Sequence, residues 1–192
     1  PLNGIIGMTY LTQKMDLPDE AINNLDKIST SSKFLLGLVN DILDMSKMES
    51  QEIELHPEPY YFEDFKMYLE AVICPLCEEK RQHFVFDSSE VDDLVPLVDI
   101  TRLNRIYFNL LSNAVKYTPE YGTITLKIRE KPVSNGEMEF TTTVRDNGIG
   151  ISPEFQKHLF EPFVQENRID TSEMRGSGLG LAIVKKMVEA MD

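Results

Sequence analysis

The sequence predicts an α+β protein in which a helical hairpin is followed by an α/β domain. Core-type positions, most of them apolar, recur at alternating steps of three and four between residues 25 and 46, which is the spacing of a helix packed in a bundle. Prolines at positions 57 and 59 then interrupt the helical pattern. Beyond them, short runs that alternate apolar and polar residues lie among further helix-like stretches, as expected of a sheet covered by helices.

Residues 1–55 are predicted to form the two helices of the hairpin, with a turn at residues 16–19. The first helix places Leu2, Ile5, Ile6 and Thr9 on one side. The second helix has two series of core-type positions: Leu25, Ile28, Ser32, Leu35, Val39, Ile42 and Ser46, and beside them Ile22, Ser29, Leu36 and Leu43. Because two helices cannot bury both series, we expect the hairpin to pair with a second copy as half of a dimeric four-helix bundle. The alternative is that the stripe packs on the chain's own second domain.

The pattern places a linker at residues 56–62 and a second domain at residues 63–192. Helices are predicted at 61–81, where Pro75 disturbs the pattern, and at 101–116, 153–159 and 181–191. Strands are predicted at 123–129, with Ile124, Leu126 and Ile128 on one face, and around Phe140, Thr142 and Val144, joined by a hairpin at Ser134-Asn135-Gly136.

Composition narrows the class of protein. The chain has 42% hydrophobic and 27% charged residues, as in globular proteins, and 19 basic against 32 acidic residues give a net charge of −13. This acidic balance argues against nucleic-acid binding and against contact of this segment with an anionic membrane. The first residue is not Met, so we expect a fragment of a longer, cytoplasmic chain, and a membrane anchor upstream stays open.

The two cysteines, Cys74 and Cys77, do not amount to a disulfide framework. With His83 nearby they form a zinc-like pattern that is one ligand short of a closed structural site. The apolar residues around them favour a buried helix with core cysteines in a reducing compartment.

Three segments carry the chemistry. In residues 109–117, the side chains of Asn109, Asn113 and Lys116 share one face of a helix, which suits a phosphate-bound metal ion because a carboxamide oxygen ligates hard cations and an ammonium group attracts phosphate. Alone, this pattern is equally typical of a solvated helix face.

The second segment, residues 146–150, follows a strand, with a carboxylate at Asp146 and glycines at 148 and 150. Alone it is an ordinary turn. In the third, residues 176–180, a glycine-rich turn leads into a helix N-terminus, which is an anion site. It is neither a dinucleotide fingerprint nor a P-loop, because the flanking residues that those motifs require are absent.

The order and spacing of these segments resemble the catalytic domain of sensor histidine kinases, and the resemblance covers nearly the whole chain. Residues 109–117 resemble the asparagine box, 146–150 the first glycine box, 160–163 the phenylalanine box and 176–180 the second glycine box. Residues 1–7 and 41–47 are similar to parts of the dimerisation hairpin, particularly of hybrid kinases. The resemblance implies an α/β sandwich of the histidine-kinase, gyrase and chaperone ATPase type.

The resemblance also implies ATP and Mg²⁺ as ligands. It makes Asn113 the metal ligand, Asn109 a residue of the same pocket, Lys116 a phosphate contact and Tyr117 a neighbour of the nucleotide. Asp146 would accept from the adenine amino group, with Gly148 and Gly150 leaving room for the ring. The phosphates would be covered by a lid at residues 164–175, anchored by Phe160 and Phe163, and by the following loop. The residues implied there are Arg168, Arg175, Gly176, Ser177, Gly178, Leu179 and Gly180.

The family reaction moves the γ-phosphoryl group of ATP to a histidine and then to an aspartate of a response-regulator receiver domain. His56, His83 and His158 do not stand in the acceptor context, so we expect the acceptor upstream of Pro1 and no self-phosphorylation by this chain alone. Two alternatives stay open. One is an ATP-responsive scaffold without phosphotransfer. The other is a hydrolytic ATPase, which is disfavoured because Asn109 stands where a base is needed.

Overall fold

The computed structural model describes residues 1–50, 54–91, 95–133, 138–166 and 176–191, with the backbone alone for Asp44 and residues 47–50. The chain divides into two compact units, Pro1–Glu52 and Ile53–Asp192. No described helix is long and apolar enough to span a bilayer.

The first unit is the predicted hairpin, formed by α1 (Leu2–Gln13) and α2 (Asp19–Ser50). Helix α2 begins with Asp19 and Glu20, whose carboxylates favour the positive end of the helix dipole. The two helices are joined by a hydrogen bond from Gln13 Nε2 to Asp26 Oδ1 at 2.6 Å. Within the first unit, therefore, the turn and the order of the helices are confirmed.

The predicted core stripe of α2 is covered only in part. Ser32 is buried, whereas Ile28, Leu35, Val39 and Ile42 are 44–49% exposed. The physical reason is the one anticipated from the sequence, since α1 alone cannot cover both apolar series of a long helix.

The second unit contains five strands and four helices among the described residues. In chain order they are β1 (Glu58–Pro59), α3 (Phe62–Glu79), β2 (His83–Glu90), β3 (Leu97–Val98), α4 (Ile100–Tyr117), β4 (Thr123–Pro132), β5 (Met138–Asp146), α5 (Pro153–Gln156) and α6 (Gly180–Met191). The main sheet has the order β2-β4-β5, with β2 parallel and β5 antiparallel to β4, and β1 pairs with β3 in a separate ribbon. The mixed sheet is therefore confirmed.

The core of this unit lies between the sheet and helices α3 and α4. The central strand β4 contributes Ile124, Leu126 and Ile128, which are at most 2% exposed. Aromatic rings join the helices, since Phe65 of α3 and Tyr107 of α4 meet edge to face with centroids 4.8 Å apart. Burial at a spacing of two on the strand and three to four on the helices explains why these elements form here.

Several predicted boundaries change. Residues 56–62 were predicted as a linker, but Glu58 and Pro59 pair with β3, and Tyr60 is 8% exposed in the core. Helix α3 continues through Pro75, and α5 ends at Gln156 rather than at position 159. The predicted hairpin at residues 134–136 lies outside the described residues.

The cysteine pattern belongs to the core. Cys77 is 2% exposed inside α3, and burial raises the pKa of its thiol. Burial, followed by the nearby acidic side chains Glu70 and Glu78, raises the pKa of Cys74 as well. A raised thiol pKa keeps both groups protonated and unreactive at neutral pH.

Candidate nucleotide-binding site

Helix α4 carries the polar residues predicted to bind phosphate and metal. It begins after Asp99, whose side chain accepts a hydrogen bond from the Arg102 backbone N–H at 3.1 Å and so caps the first turn. By helical spacing Asn109, Asn113 and Lys116 lie opposite the fully buried Leu111. In the sequence, Leu103, Ile106, Leu110 and Ala114 recur at helical spacing on another side of α4. The structure buries Ile106 and Ala114 together with Tyr107, Leu111 and Val115, while Leu103 and Leu110 are half-buried.

The N-terminus of α6 lies directly against this polar face. A Cβ atom added to Gly180 would stand 3.5 Å from Asn109 Oδ1 and 3.9 Å from Asn113 Nδ2. The Asn109 Nδ2 group is buried, and no described residue accepts a hydrogen bond from it. A buried amide donor without a partner costs free energy, so this atom suits an acceptor supplied by a ligand.

The segment before α6 approaches the other end of the polar face. A Cβ atom on Gly176 would lie 3.0 Å from the Lys116 ammonium nitrogen, which also stands 4.7 Å from the centre of the Tyr117 ring. The Gly176 carbonyl accepts a hydrogen bond from Gln165 Nε2 at 2.6 Å. Residues about 60 positions apart in sequence are thus brought together around one ammonium group, as an anion site requires.

The loop at residues 146–150 packs against the C-terminus of α4. The Ile149 N–H donates to the Tyr117 carbonyl at 3.3 Å, and the Gly148 N–H donates to Asp146 Oδ1 at 2.8 Å. A Cβ atom on Gly148 would lie 2.4 Å from the Tyr117 oxygen, so glycine allows close backbone packing at this position. Gly150 has open space around it and a φ of +66°, a conformation that glycine adopts most easily.

Gly178 contacts the end of residues 160–163, the phenylalanine segment. Its φ is +71°, its carbonyl accepts from the Phe163 N–H at 3.0 Å, and a Cβ atom here would meet the Phe163 backbone at 2.9 Å. The rings of Phe160 and Phe163 are 46% and 62% exposed, and most of the lid that they are predicted to anchor lies outside the described residues, so this role stays a prediction. The contact that the structure describes in this turn is made by the Phe163 backbone.

Other predicted site residues have different outcomes. Leu179 is fully buried, so its side chain belongs to the core, and only its backbone could face a ligand. Ser177 accepts from the Leu179 N–H through its hydroxyl at 3.2 Å. Arg168 and Arg175 lie outside the described residues, as does most of the predicted lid.

Three residues that support the site were not predicted individually from the sequence. Gln165 bonds to Gly176 as described, and Asn147 Oδ1 accepts from the Thr123 N–H at 2.8 Å, which ties the 146–150 loop to β4. Gln82 contacts the end of α4. No local periodicity marks these residues, since each acts through a hydrogen bond to a distant part of the chain.

The polar side chains of this site suit a metal ion that takes most of its coordinating oxygens from a bound phosphate compound. Within the described residues, no three His, Cys, Asp or Glu side chains come together as a metal cage. The carboxamides of Asn109 and Asn113, on the same face of α4 as Lys116, suit Mg²⁺, which usually takes one or two protein oxygens and completes its shell with phosphates and water.

A helical hairpin is followed by a mixed-sheet domain in which glycine-rich segments meet the polar face of α4, and this arrangement is typical of a two-part nucleotide-binding protein. Comparison with known families agrees: residues 1–51 match the His Kinase A (phospho-acceptor) domain, and residues 98–192 match the histidine kinase-, DNA gyrase B- and HSP90-like ATPase family. The chain therefore belongs to the histidine-kinase family.

Individual relatives support this membership. The chain is 38% identical over 193 residues to the autoinducer 2 sensor kinase/phosphatase LuxQ of Vibrio parahaemolyticus, with 100% of this chain and 22% of the relative covered. It is 34% identical over 192 residues to the signal transduction histidine-protein kinase BarA of Escherichia coli, with 100% and 21% covered. The chain thus spans about a fifth of the length of these curated relatives.

A solved structure gives the same result for the fold. The crystal structure of full-length ShkA in complex with AMPPNP is similar with a TM-score of 0.74 and 32% identity, covering 100% of this chain and 38% of ShkA. The hairpin and the sandwich of the predicted ATPase type are therefore confirmed.

Proposed function

We propose that this chain is the ATP-binding core of a sensor histidine kinase, which transfers the γ-phosphoryl group of ATP to a histidine upstream of Pro1 and then to an aspartate of a response-regulator receiver domain. The observation that carries the proposal is the meeting of Gly176 and Gly180 with the polar face of α4 around the unpaired Asn109 amide. The N-terminus of a helix, an ammonium group and an unpaired amide donor at one place suit a polyphosphate.

The proposed roles follow the chemistry of each group. Asn113 holds Mg²⁺ through its carboxamide oxygen, and Lys116 contacts phosphate oxygens. When bound, the ion neutralises part of the phosphate charge. Asp146 accepts from the adenine amino group, and its carboxylate is already oriented by the Gly148 N–H. Tyr117 lies beside the nucleotide, and Arg168 and Arg175 are proposed phosphate contacts from the lid.

Phosphotransfer suits this site better than hydrolysis. Hydrolysis by this class of ATPase needs a base that activates water, and the carboxamide of Asn109 cannot accept a proton at neutral pH. Phosphoryl transfer to an imidazole needs alignment and charge neutralisation, which the amides, Lys116 and the α6 N-terminus provide.

Dimerisation through the hairpin is part of the proposal. Ile28, Leu35, Val39 and Ile42 form an apolar stripe on α2 that is 44–49% exposed, and apolar surface of this kind is stabilised by burial against another helix pair. Sedimentation should show a dimer, whereas a monomer at high protein concentration would contradict the assignment.

The site assignment is tested by titrating the chain with an ATP analogue with and without Mg²⁺. We expect Mg²⁺ to tighten binding, Asn113→Ala to remove that gain, and Asp146→Ala to weaken adenine nucleotides more than guanine nucleotides. Asn24→Ala, on the exposed surface of α2, is the matched control and should bind as the wild type does.

The transfer step requires a chain extended to include the upstream histidine. Incubation with γ-labelled ATP should label that chain and not a variant in which the histidine is replaced. A folded wild type that binds no nucleotide would refute the proposed function, and nucleotide binding without any labelling would favour the scaffold alternative.

A further inference from the structure

The C-terminus of α4 is held by two side chains from another part of the chain. Lys80 follows α3 and Gln82 precedes β2. Gln82 Nε2 donates to the carbonyls of Val115 at 3.0 Å and Thr118 at 2.6 Å. The Lys80 ammonium donates to the carbonyls of Val115 and Lys116, both at 3.0 Å. Gln82 is only 7% exposed, so these bonds are shielded from competing water.

The backbone of this turn directs both side chains to α4. Arg81, between them, adopts a left-handed φ of +51°, and its guanidinium points to the exposed Glu120 at 2.9 Å instead. Two backbone bonds place the turn: the Tyr121 N–H donates to the Arg81 carbonyl at 3.1 Å, and the His83 N–H donates to the Gly122 carbonyl at 2.8 Å.

The same helix end also receives the 146–150 loop. A helix leaves its last carbonyls without partners inside the helix, so they are available to other segments. Those of Val115, Lys116 and Thr118 accept from the Lys80 and Gln82 side chains, whereas the Tyr117 carbonyl, which lies among them, accepts from the Ile149 N–H. One turn of helix therefore connects the 80–82 turn to the loop that carries Asp146.

We infer that Gln82 and Lys80 are positioning residues for the nucleotide site. By holding the last turn of α4 they set the spacing between Asp146, which is proposed to bind adenine, and Lys116, which is proposed to contact phosphate. The inference rests on the proposed function, because only that function requires both groups to act on one ligand. A ligand that spans both groups depends on their spacing, whereas one that contacts a single group does not.

The test compares AMP-PNP, which spans the site, with adenosine, which reaches only the adenine side. In Gln82→Met and in Lys80→Met we expect AMP-PNP to bind about 10-fold more weakly and adenosine to stay within about 2-fold of the wild type. Lys80→Arg keeps a cationic donor near the same carbonyls and should restore AMP-PNP affinity. Glu120→Gln removes only the exposed ion pair of the same turn and should change neither ligand.

Two results would overturn the inference. One is unchanged AMP-PNP affinity in folded Gln82→Met and Lys80→Met, and the other is an equal loss for AMP-PNP and adenosine, which would indicate general destabilisation. If circular dichroism shows that Gln82→Met does not fold, the comparison of Lys80→Met with Lys80→Arg decides. A wild type that does not bind AMP-PNP would refute the proposed function itself. If the wild type binds AMP-PNP but the variants do not show the expected loss of affinity, only the positioning role is refuted.

Discussion

Substituting Gly148 with alanine should detach the 146–150 loop from α4. The added Cβ atom would lie 2.4 Å from the Tyr117 carbonyl oxygen and 2.7 Å from Asp146 Oδ1. Neither neighbour is the flexible end of a long side chain, so the loop has to move. An ordinary contact distance near 3.4 Å requires a displacement of about 1 Å.

The size of the effect follows from the bonds that this displacement breaks. The hydrogen bond from the Ile149 N–H to Tyr117 is already 3.3 Å long and would be lost, at about 1 kcal/mol. The close contact itself costs about 1–3 kcal/mol if it is only partly relieved. If nucleotide binding requires the docked loop, a total of about 2–4 kcal/mol corresponds to a roughly 30- to 700-fold loss of affinity.

Gly150→Ala in the same loop is the matched comparison. Its Cβ atom would meet nothing within 4 Å, and only the φ of +66° opposes alanine. A left-handed alanine costs about 1–2 kcal/mol, so its loss of affinity should be smaller.

Calorimetric titration with AMP-PNP measures both variants, with Gly37→Ala on the exposed surface of α2 as a control for handling and folding. Gly148→Ala should lose the most affinity, Gly150→Ala less, and Gly37→Ala none. Wild-type affinity in Gly148→Ala, or a greater loss in Gly150→Ala, would show that close packing on Tyr117 does not govern the loop.

Three other predictions concern stability and the phenylalanine segment. Burial alone would raise the pKa of Asp99, but hydrogen bonds from backbone N–H groups and from Arg102 hold it below its usual value. The stabilisation that these bonds give is therefore complete above about pH 4 and is lost as the pH falls through the lowered pKa. Urea unfolding should show that Asp99→Asn approaches wild-type stability only in that acidic range. Gly178→Ala should displace the Phe163 backbone and lower AMP-PNP affinity with little change in the unfolding midpoint, and unchanged affinity would contradict this reasoning. Leu126→Ala, in the fully buried centre of β4, should lower the free energy of unfolding by about 2–5 kcal/mol, and a loss below about 1 kcal/mol would place the core elsewhere.

Much of the fold could be predicted because it depends on local periodicity. The spacing of three and four identified α2, and alternation identified β4 with Ile124, Leu126 and Ile128 inward. The glycine segments at 146–150 and 176–180 were recognised because glycine and its neighbours mark a loop by residue type alone. Such signals need only a few consecutive residues, so they can be recognised in the sequence without the structure.

The errors have a common cause in long-range contacts. Residues 56–62 looked like a linker because prolines break helices, yet Glu58 and Pro59 pair with a strand about 40 positions later. Residue type does not show the environment of Phe160 and Phe163 either, because their rings are exposed while the turn's backbone makes the contact. Residue type predicts an average environment, and tertiary packing decides the actual one.

By itself the sequence determined the hairpin, the α/β domain and the identity of the polar groups that could bind a nucleotide. Only the tertiary structure decided that Gly180 stands against Asn109, that Gly148 must pack on Tyr117, and that Gln82 holds the end of α4. The physical reason is that periodicity encodes which face of an element is buried. It does not encode which distant hydrogen-bonding group will meet that element's exposed ends, because this depends on how the whole core packs.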